Sequence, residues 1–240
     1  MKVLVSPMSV EEAIESLEGG ADIIDVKNPA EGSLGANFPW IIKGIKKIVE
    51  KHSKLLSATV GDLDYKPGTA SLAALGAVVA GADYVKVGLY GIKTENQVHE
   101  MMKNVVRAVK DYNPSAMVVA AGYADHGRIN AISPLSIAEP AYKAGCDGIM
   151  VDTAIKDGRN LFEFMSHEII EKFVKSAQER GMFCALAGSL SWNHISVLKE
   201  LNPDIIGVRT MVCENGRNSM IKSHLVSKLM TSVRQGSTFS

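Results

Sequence analysis

Asp25 and Lys27 are charged residues in an otherwise largely apolar stretch, Gly20-Ala21-Asp22-Ile23-Ile24-Asp25-Val26-Lys27. The stretch reads as a short buried strand, and its two-residue alternation sends Asp25 and Lys27 to one face, about 6.6 Å apart. A carboxylate and an ammonium on the inner face of a buried strand are costly unless something polar binds there. Lys86, in Asp83-Tyr84-Val85-Lys86-Val87-Gly88, places a second lysine on a comparable strand. A single lysine at a strand end is ordinarily a snorkelling side chain, but two with carboxylates beside them suit imine formation. One amine, kept neutral by burial and a neighbouring cation, attacks a carbonyl. The second lysine or a carboxylate moves protons.

The elements that must hold these groups follow from pattern. Strands are expected over residues 1–6, 20–27, 54–60, 82–88, 116–121, 147–152, 182–187 and 204–208. Helices are expected over 9–18, 39–51, 67–81, 94–110, 134–144, 162–180, 192–201 and 219–233, the first opened by a Ser9/Glu12 capping box. Eight strand–helix units with nearly continuous apolar strands describe a parallel sheet covered by helices. In 240 residues that is a single-domain α/β chain, a (β/α)8 TIM barrel over residues 1–233. A doubly wound sheet would place a glycine-rich phosphate loop after the first strand, and Val5-Ser6-Pro7-Met8 has no glycine. Residues 234–240 are expected to be a polar tail outside the barrel, disordered or appended.

Four junctions repeat at a spacing of roughly 60 residues. They are Gly20-Ala21-Asp22, Gly81-Ala82-Asp83, Gly145-Cys146-Asp147 and Asn202-Pro203-Asp204. In each, Gly or Asn ends a helix and Asp starts an even-numbered strand. Five residues beyond these aspartates stand Lys27, Gly88, Asp152 and Arg209; three beyond stand Asp25, Lys86, Met150 and Gly207. Interior layers of a barrel are built from alternate strands and normally hold bulky aliphatics. Here Asp25, Lys27, Lys86, Asp152 and Arg209 are expected together at the C-terminal mouth, and five charges there form a site.

Phosphate binding is expected beside them, because the loops after strands seven and eight of such barrels often hold it on backbone N–H groups. Gly188, Ser189 and Arg209 are the candidates, with Lys156 after strand six as a further contact; the plainer alternatives are packing glycines and a solvated lysine. Asp62, Asp64, Tyr123, Asp125 and His126 lie at the mouth by loop position alone. The six histidines have no paired spacing, so no metal is expected. With no dinucleotide fingerprint, no cofactor is expected either. Zero formal charge without a basic stripe argues against nucleic acid. The lack of an 18-residue apolar run argues against a membrane span. Three cysteines without metal or disulfide spacing fit a reducing, cytoplasmic setting. Barrels of this kind associate through outer helices, and a homo-oligomer is compatible with the pattern, although no single apolar stripe marks the surface.

Five motifs together resemble a known family. They are Leu4-Val5-Ser6-Pro7; Asp25-Val26-Lys27-Asn28-Pro29 with Gly32-Ser33-Leu34-Gly35; Ala58-Thr59-Val60-Gly61-Asp62; Val85-Lys86-Val87-Gly88; and Met150-Val151-Asp152-Thr153. They are similar to the (5-formylfuran-3-yl)methyl phosphate synthases of methanogenic archaea, enzymes of methanofuran biosynthesis, and the likeness runs to about residue 233. The resemblance implies a cofactor-free lyase that condenses two glyceraldehyde 3-phosphate molecules into a phosphorylated furan aldehyde, releasing phosphate and water. It implies Lys27 as the Schiff-base lysine and Lys86 as the proton-transfer residue, with Asp25, Asp152 and Lys156 in support. In that reading one triose phosphate, in its ketone form, is held as an imine, and its enamine carbon attacks the aldehyde of the second. An aldolase or isomerase using the same lysine is the alternative within enzymes. A sugar-phosphate sensor would keep Arg209, Gly188 and Ser189 but would have no use for two interior lysines.

Overall fold

The apolar strands pair side by side in chain order and close into a parallel barrel: β1 (Lys2–Val5), β2 (Ile23–Val26), β3 (Leu55–Asp62), β4 (Tyr84–Gly88), β5 (Met117–Tyr123), β6 (Gly148–Asp152), β7 (Phe183–Leu186) and β8 (Ile205–Val208). The computed structural model describes residues 1–235. The outer helices are α1 (Val10–Glu18), α2 (Pro39–Lys51), α3 (Pro67–Val79), α4 (Glu95–Tyr112), α5 (Ala138–Lys143), α6 (Leu161–Phe164), α7 (His167–Gln178), α8 (Ile195–Leu201) and α9 (Ser223–Arg234). The longer ones turn an apolar stripe to the barrel. In α4 that stripe is Val98, Met101, Met102, Val105 and Val109, the three-and-four spacing of one helix face.

The repeated junctions have a physical job. Gly20, Gly81, Gly145 and Asn202 all take positive φ, between 47° and 106°, which ends the preceding helix. The aspartate that follows accepts a backbone N–H from the strand before it. Asp22 takes Val3 N–H at 2.9 Å, Asp83 takes Leu56 at 2.8 Å, Asp147 takes Val118 at 2.7 Å and Asp204 takes Cys184 at 2.8 Å. Three of the four also return their own N–H to that residue's carbonyl. The bottom edge of the barrel is thus clamped at four places.

The barrel interior is apolar at the bottom and charged at the top. Ile23, Ile205 and the edge-to-face pair Tyr84–Phe183, with centroids 5.8 Å apart, close the floor. A Cβ at Gly148 would collide with the Phe183 ring, so glycine is required there.

Several boundaries differ from expectation. β3 runs on to Asp62 through a register shift after Thr59, and β5 runs on to Tyr123, so both side chains sit on strand ends. The helix expected over 162–180 is two, because Met165 is extended and Ser166 caps a new start. Residues 134–144 form a 3-10 turn and then α5. The last helix begins at Ser223, not 219. Residues 213–222 instead form a folded loop closed by an antiparallel Cys213–Ile221 bridge, in which Ser219 bonds Asn215 N–H and Gly216 C=O rather than entering a helix. Glu12 closes its cap on Met8 N–H at 2.7 Å, not on Ser9. Arg234 is the last residue of α9 and pairs with Asp22 at 3.0 Å; the rest of the expected tail, 236–240, lies outside the described residues. Among the described residues no helix is long and apolar enough to cross a membrane.

Candidate active site

Strand alternation turns Asp25 and Lys27 into the barrel, where both are buried. Lys86 reaches Asp25 from β4, Nζ to Oδ1 at 2.7 Å, and Ser6 Oγ donates to the other oxygen of Asp25 at 2.9 Å. The Lys86–Asp25 contact is off the hydrogen-bond direction, and Ser57, level with Asp25 on β3, also lacks a partner. Ser6 is the one directed bond to Asp25 among the described residues, and Lys86 is held to it by charge.

Above it, Asp152 accepts Thr153 N–H at 2.7 Å and the Lys156 ammonium at 2.5 Å; Lys156 also donates to Thr153 Oγ1 at 3.0 Å. Burial alone would raise the Asp152 carboxyl, but the ammonium groups of Lys156 and Lys27 outweigh it and bring it down to about 2. Asp125 supports this corner from the turn after β5, accepting Ala154 N–H at 2.6 Å and Ile155 N–H at 3.0 Å.

Lys27 is the exception among the interior cations. No carboxylate lies within 4.0 Å of its Nζ among the described residues. Burial drives its ammonium down to about 8; Asp152 and Asp25 oppose the shift, while Lys156 and Lys86 add to it.

Arg209 corrects an expectation. Its guanidinium donates to Glu12 at 2.7 and 3.0 Å and to the carbonyls of Ser6, Arg217 and Ser219 at 2.8, 2.9 and 3.4 Å. Arginine has five N–H donors, and all are used. Arg209 lies in the chamber wall but has no donor left for a phosphate; it ties the loop after β8 to α1. The partner that occupies it, Glu12, was visible in the sequence only as a capping residue.

Gly188 and Ser189 do stand where an anion could bind. Both take positive φ, 111° and 50°, and the N–H groups of Gly188, Ser189 and Leu190 have no protein acceptor among the described residues. Successive free amides of this kind form an anion-binding nest. With Lys27, Asp152, Lys156 and Arg217 they line a chamber of about 20 Å³, room for about one water molecule. It opens into a cavity of about 550 Å³ that shares Lys156, Ser189, Leu190, Thr210 and Arg217 and runs out past Trp192 and His194.

The opposite side of the mouth is sealed by the loop after β2, residues 28–37. Leu34 is buried inside the barrel, its N–H on Asp62 at 3.3 Å and its carbonyl on Gly61 N–H at 3.1 Å. Ser33 Oγ donates to Thr153 C=O at 2.8 Å, and Thr59 Oγ1 donates to Gly35 C=O at 2.7 Å. Tyr123 donates to Asp62 in a close hydrogen bond, and a Cβ at Gly88 would collide with its hydroxyl. Burial raises Asp62, and burial with the Asp62 charge raises Tyr123 well above its usual value, so the phenol keeps its proton. Asp64 is exposed, and His126 makes only a long contact with Ala124 C=O at 3.4 Å. No three His, Cys, Asp or Glu side chains converge to hold a metal among the described residues.

A closed parallel barrel with its polar residues gathered at the C-terminal strand ends is a (β/α)8-barrel enzyme. Solved structures share that fold. A 3-hexulose-6-phosphate synthase superposes with a TM-score of 0.67 at 17% identity, over 97% of this chain and 100% of that one. The deoxyribose phosphate aldolase of Aeropyrum pernix superposes with a TM-score of 0.61 at 18% identity, over 96% and 87%. The sequence is more particular. Residues 3–230 match the family described as 4-HFC-P synthase. The chain is 66% identical to the (5-formylfuran-3-yl)methyl phosphate synthase of Archaeoglobus fulgidus, over 97% of this chain and 99% of that one, and 58% identical to that of Methanocaldococcus jannaschii, over 95% and 98%. The chain belongs to the 4-HFC-P synthase family.

Proposed function

We propose that the chain makes (5-formylfuran-3-yl)methyl phosphate from two molecules of glyceraldehyde 3-phosphate through an imine on Lys27. The relatives that carry the product's name support the product. The observation that carries the chemistry is the Lys27 amine, buried, without a carboxylate partner and held at about 8. At neutral pH about one molecule in ten then presents a free amine, against roughly one in a few thousand for an ordinary lysine.

The product's skeleton decides which triose sits on the lysine. Its substituents are on furan carbons 5 and 3, so the carbon chain is branched. The formyl carbon and its two neighbours come from a triose that has lost phosphate; the phosphomethyl branch and its two neighbours come from one that kept it. The joining bond runs from the terminal carbon of the first to the central, ketone carbon of the second. A ketone enamine attacking an aldehyde would build an unbranched chain, so the order expected from the sequence is reversed.

Lys27 therefore adds to the aldehyde and water leaves. Loss of the adjacent C–H proton gives an enaminol, which expels that triose's phosphate. The second glyceraldehyde 3-phosphate becomes dihydroxyacetone phosphate by losing its C2 proton and regaining one at C1 through the enediol. The enol attacks the ketone of this isomer through its terminal carbon, and the new alkoxide takes a proton. The primary hydroxyl closes on the neighbouring carbonyl, two waters leave as the ring becomes aromatic, and hydrolysis frees Lys27. The net loss is one phosphate and two waters. Lys86, ion-paired with Asp25, moves the protons, and Asp152, charged at working pH, faces the iminium and holds Lys156. The amides of Gly188 and Ser189 receive the leaving phosphate.

The test is borohydride reduction of the enzyme with glyceraldehyde 3-phosphate, followed by peptide mass mapping. The expected result is one adduct on Lys27, absent in Lys27→Arg, together with one phosphate and one furan chromophore per two trioses. An adduct on another residue, or none, would overturn the imine.

A further inference from the structure

The chamber at Lys27 is the tighter of the two spaces, about 20 Å³ against about 550 Å³ for the cavity it opens into, so the roomier seat for a second triose phosphate is the outer cavity. The charges along this path are arranged unevenly. Lys86 is paired with Asp25, Lys156 with Asp152 and Arg209 with Glu12. Among the described residues, two cations lining the chamber have no carboxylate within 4.0 Å, Lys27 and Arg217. Lys27 is accounted for by the imine. Arg217 borders both the chamber and the outer cavity.

The loop holds Arg217 in place. Its carbonyl accepts Arg209 Nε at 2.9 Å, Gly216 before it turns with φ 81°, and the Cys213–Ile221 bridge closes the loop base. Its own side chain makes no hydrogen bond within the described residues, while burial pushes its pKa down and the Asp152 charge pushes it up. A half-buried guanidinium with a fixed backbone and free donors matches a phosphate, which it grips in two parallel N–H···O bonds.

Building on the two-triose reading above, we propose that Arg217 anchors the phosphate of the second substrate, a phosphorylated hydroxyketone seated in the outer cavity. The two phosphates then have separate places. The one that leaves lies on the Gly188–Ser189 amides beside Lys27, and the one retained in the product stays on Arg217, from which the finished furan departs outward. Lys156 stands between them.

The experiment uses full-length Arg217→Gln and Arg217→Lys, with glyceraldehyde 3-phosphate and dihydroxyacetone phosphate supplied together and varied separately. For Arg217→Gln the KM for the ketone triose rises roughly 10–100-fold, the size of a lost charge-assisted contact, and Arg217→Lys recovers part of it. The KM for the aldehyde triose and the yield of the borohydride adduct on Lys27 stay within about twofold of the parent. An equal rise in both substrates' KM together with a loss of the adduct would overturn the assignment, as would no change in either KM. If Arg217→Gln does not fold by circular dichroism, Arg217→Lys is read by the same criteria. A parent enzyme that forms no adduct and no furan would instead refute the function proposed above, and that is seen before any variant is made.

Discussion

The two sides of the barrel mouth are built on opposite principles. On the β3–β6 side the covering loop is tied down by protein partners: Ser33 on Thr153, Gly35 on Thr59 and Leu34 on Asp62, with Tyr123 of β5 bonding the same carboxylate. On the β7–β8 side, three consecutive amides and one arginine have none among the described residues. A satisfied surface holds shape, and an unsatisfied one has bonding capacity left for a ligand. The loop that begins one residue after Lys27 is on the satisfied side, so the nucleophile is fixed from one direction and approached from the other.

The largest expected effect lies between the two sides, at Lys27 itself. The neutral amine attacks, and its value is about 8. Below that pH, kcat/KM should fall about tenfold per pH unit and above it should level. A profile flat from pH 6 to 9 would mean that Lys27 is not the titrating nucleophile. On the sealed side, Tyr123→Phe leaves Asp62 short of a donor in a buried place and should cost about 1–3 kcal/mol of stability, read as a lower denaturant midpoint, with the Lys27 adduct still formed. The comparison fails if that variant keeps its stability and loses the adduct. The smallest effect is expected on the open side. Ser189→Ala removes a hydroxyl that has no protein partner, so the unfolding midpoint should not move, while the KM for the aldehyde triose rises a few-fold, about 0.5–1 kcal/mol.

The barrel and its charged layers were legible in the sequence because the spacing is covalent. Counting from four aspartates places Asp25 and Lys86 at one level and Lys27 and Asp152 at the next, and strand pairing keeps that count. Arg209 also stands where the count puts it, but its role was misread. Position on a strand says where a side chain starts and not which carboxylate it meets, and Glu12 lies 197 residues away in the chain. Arg217 was hidden for a related reason. The pattern starts the last helix at 219 and leaves Arg217 in the unassigned polar connection before it, whereas Ser219 and Gly216 fold that connection into a loop that carries the arginine to the chamber. Asp62 and Tyr123 were singled out only as mouth residues, since nothing local signals a bond across 61 positions.

The aspartate clamps at the bottom of the barrel make the site a matter of measured length. Each clamp fixes the point from which its even strand is counted, and Lys27 and Asp152 each stand five residues past one. One residue inserted between Asp22 and Lys27 would turn the amine out toward the helices while leaving the clamp intact. Insertions of one residue between a clamp and its charge should therefore silence the site without unfolding the barrel's base. Length changes in the loops beyond Lys27 carry no such penalty of register. The molecule can vary what it admits at the mouth, but the depth at which its reactive groups stand is set like marks on a rule.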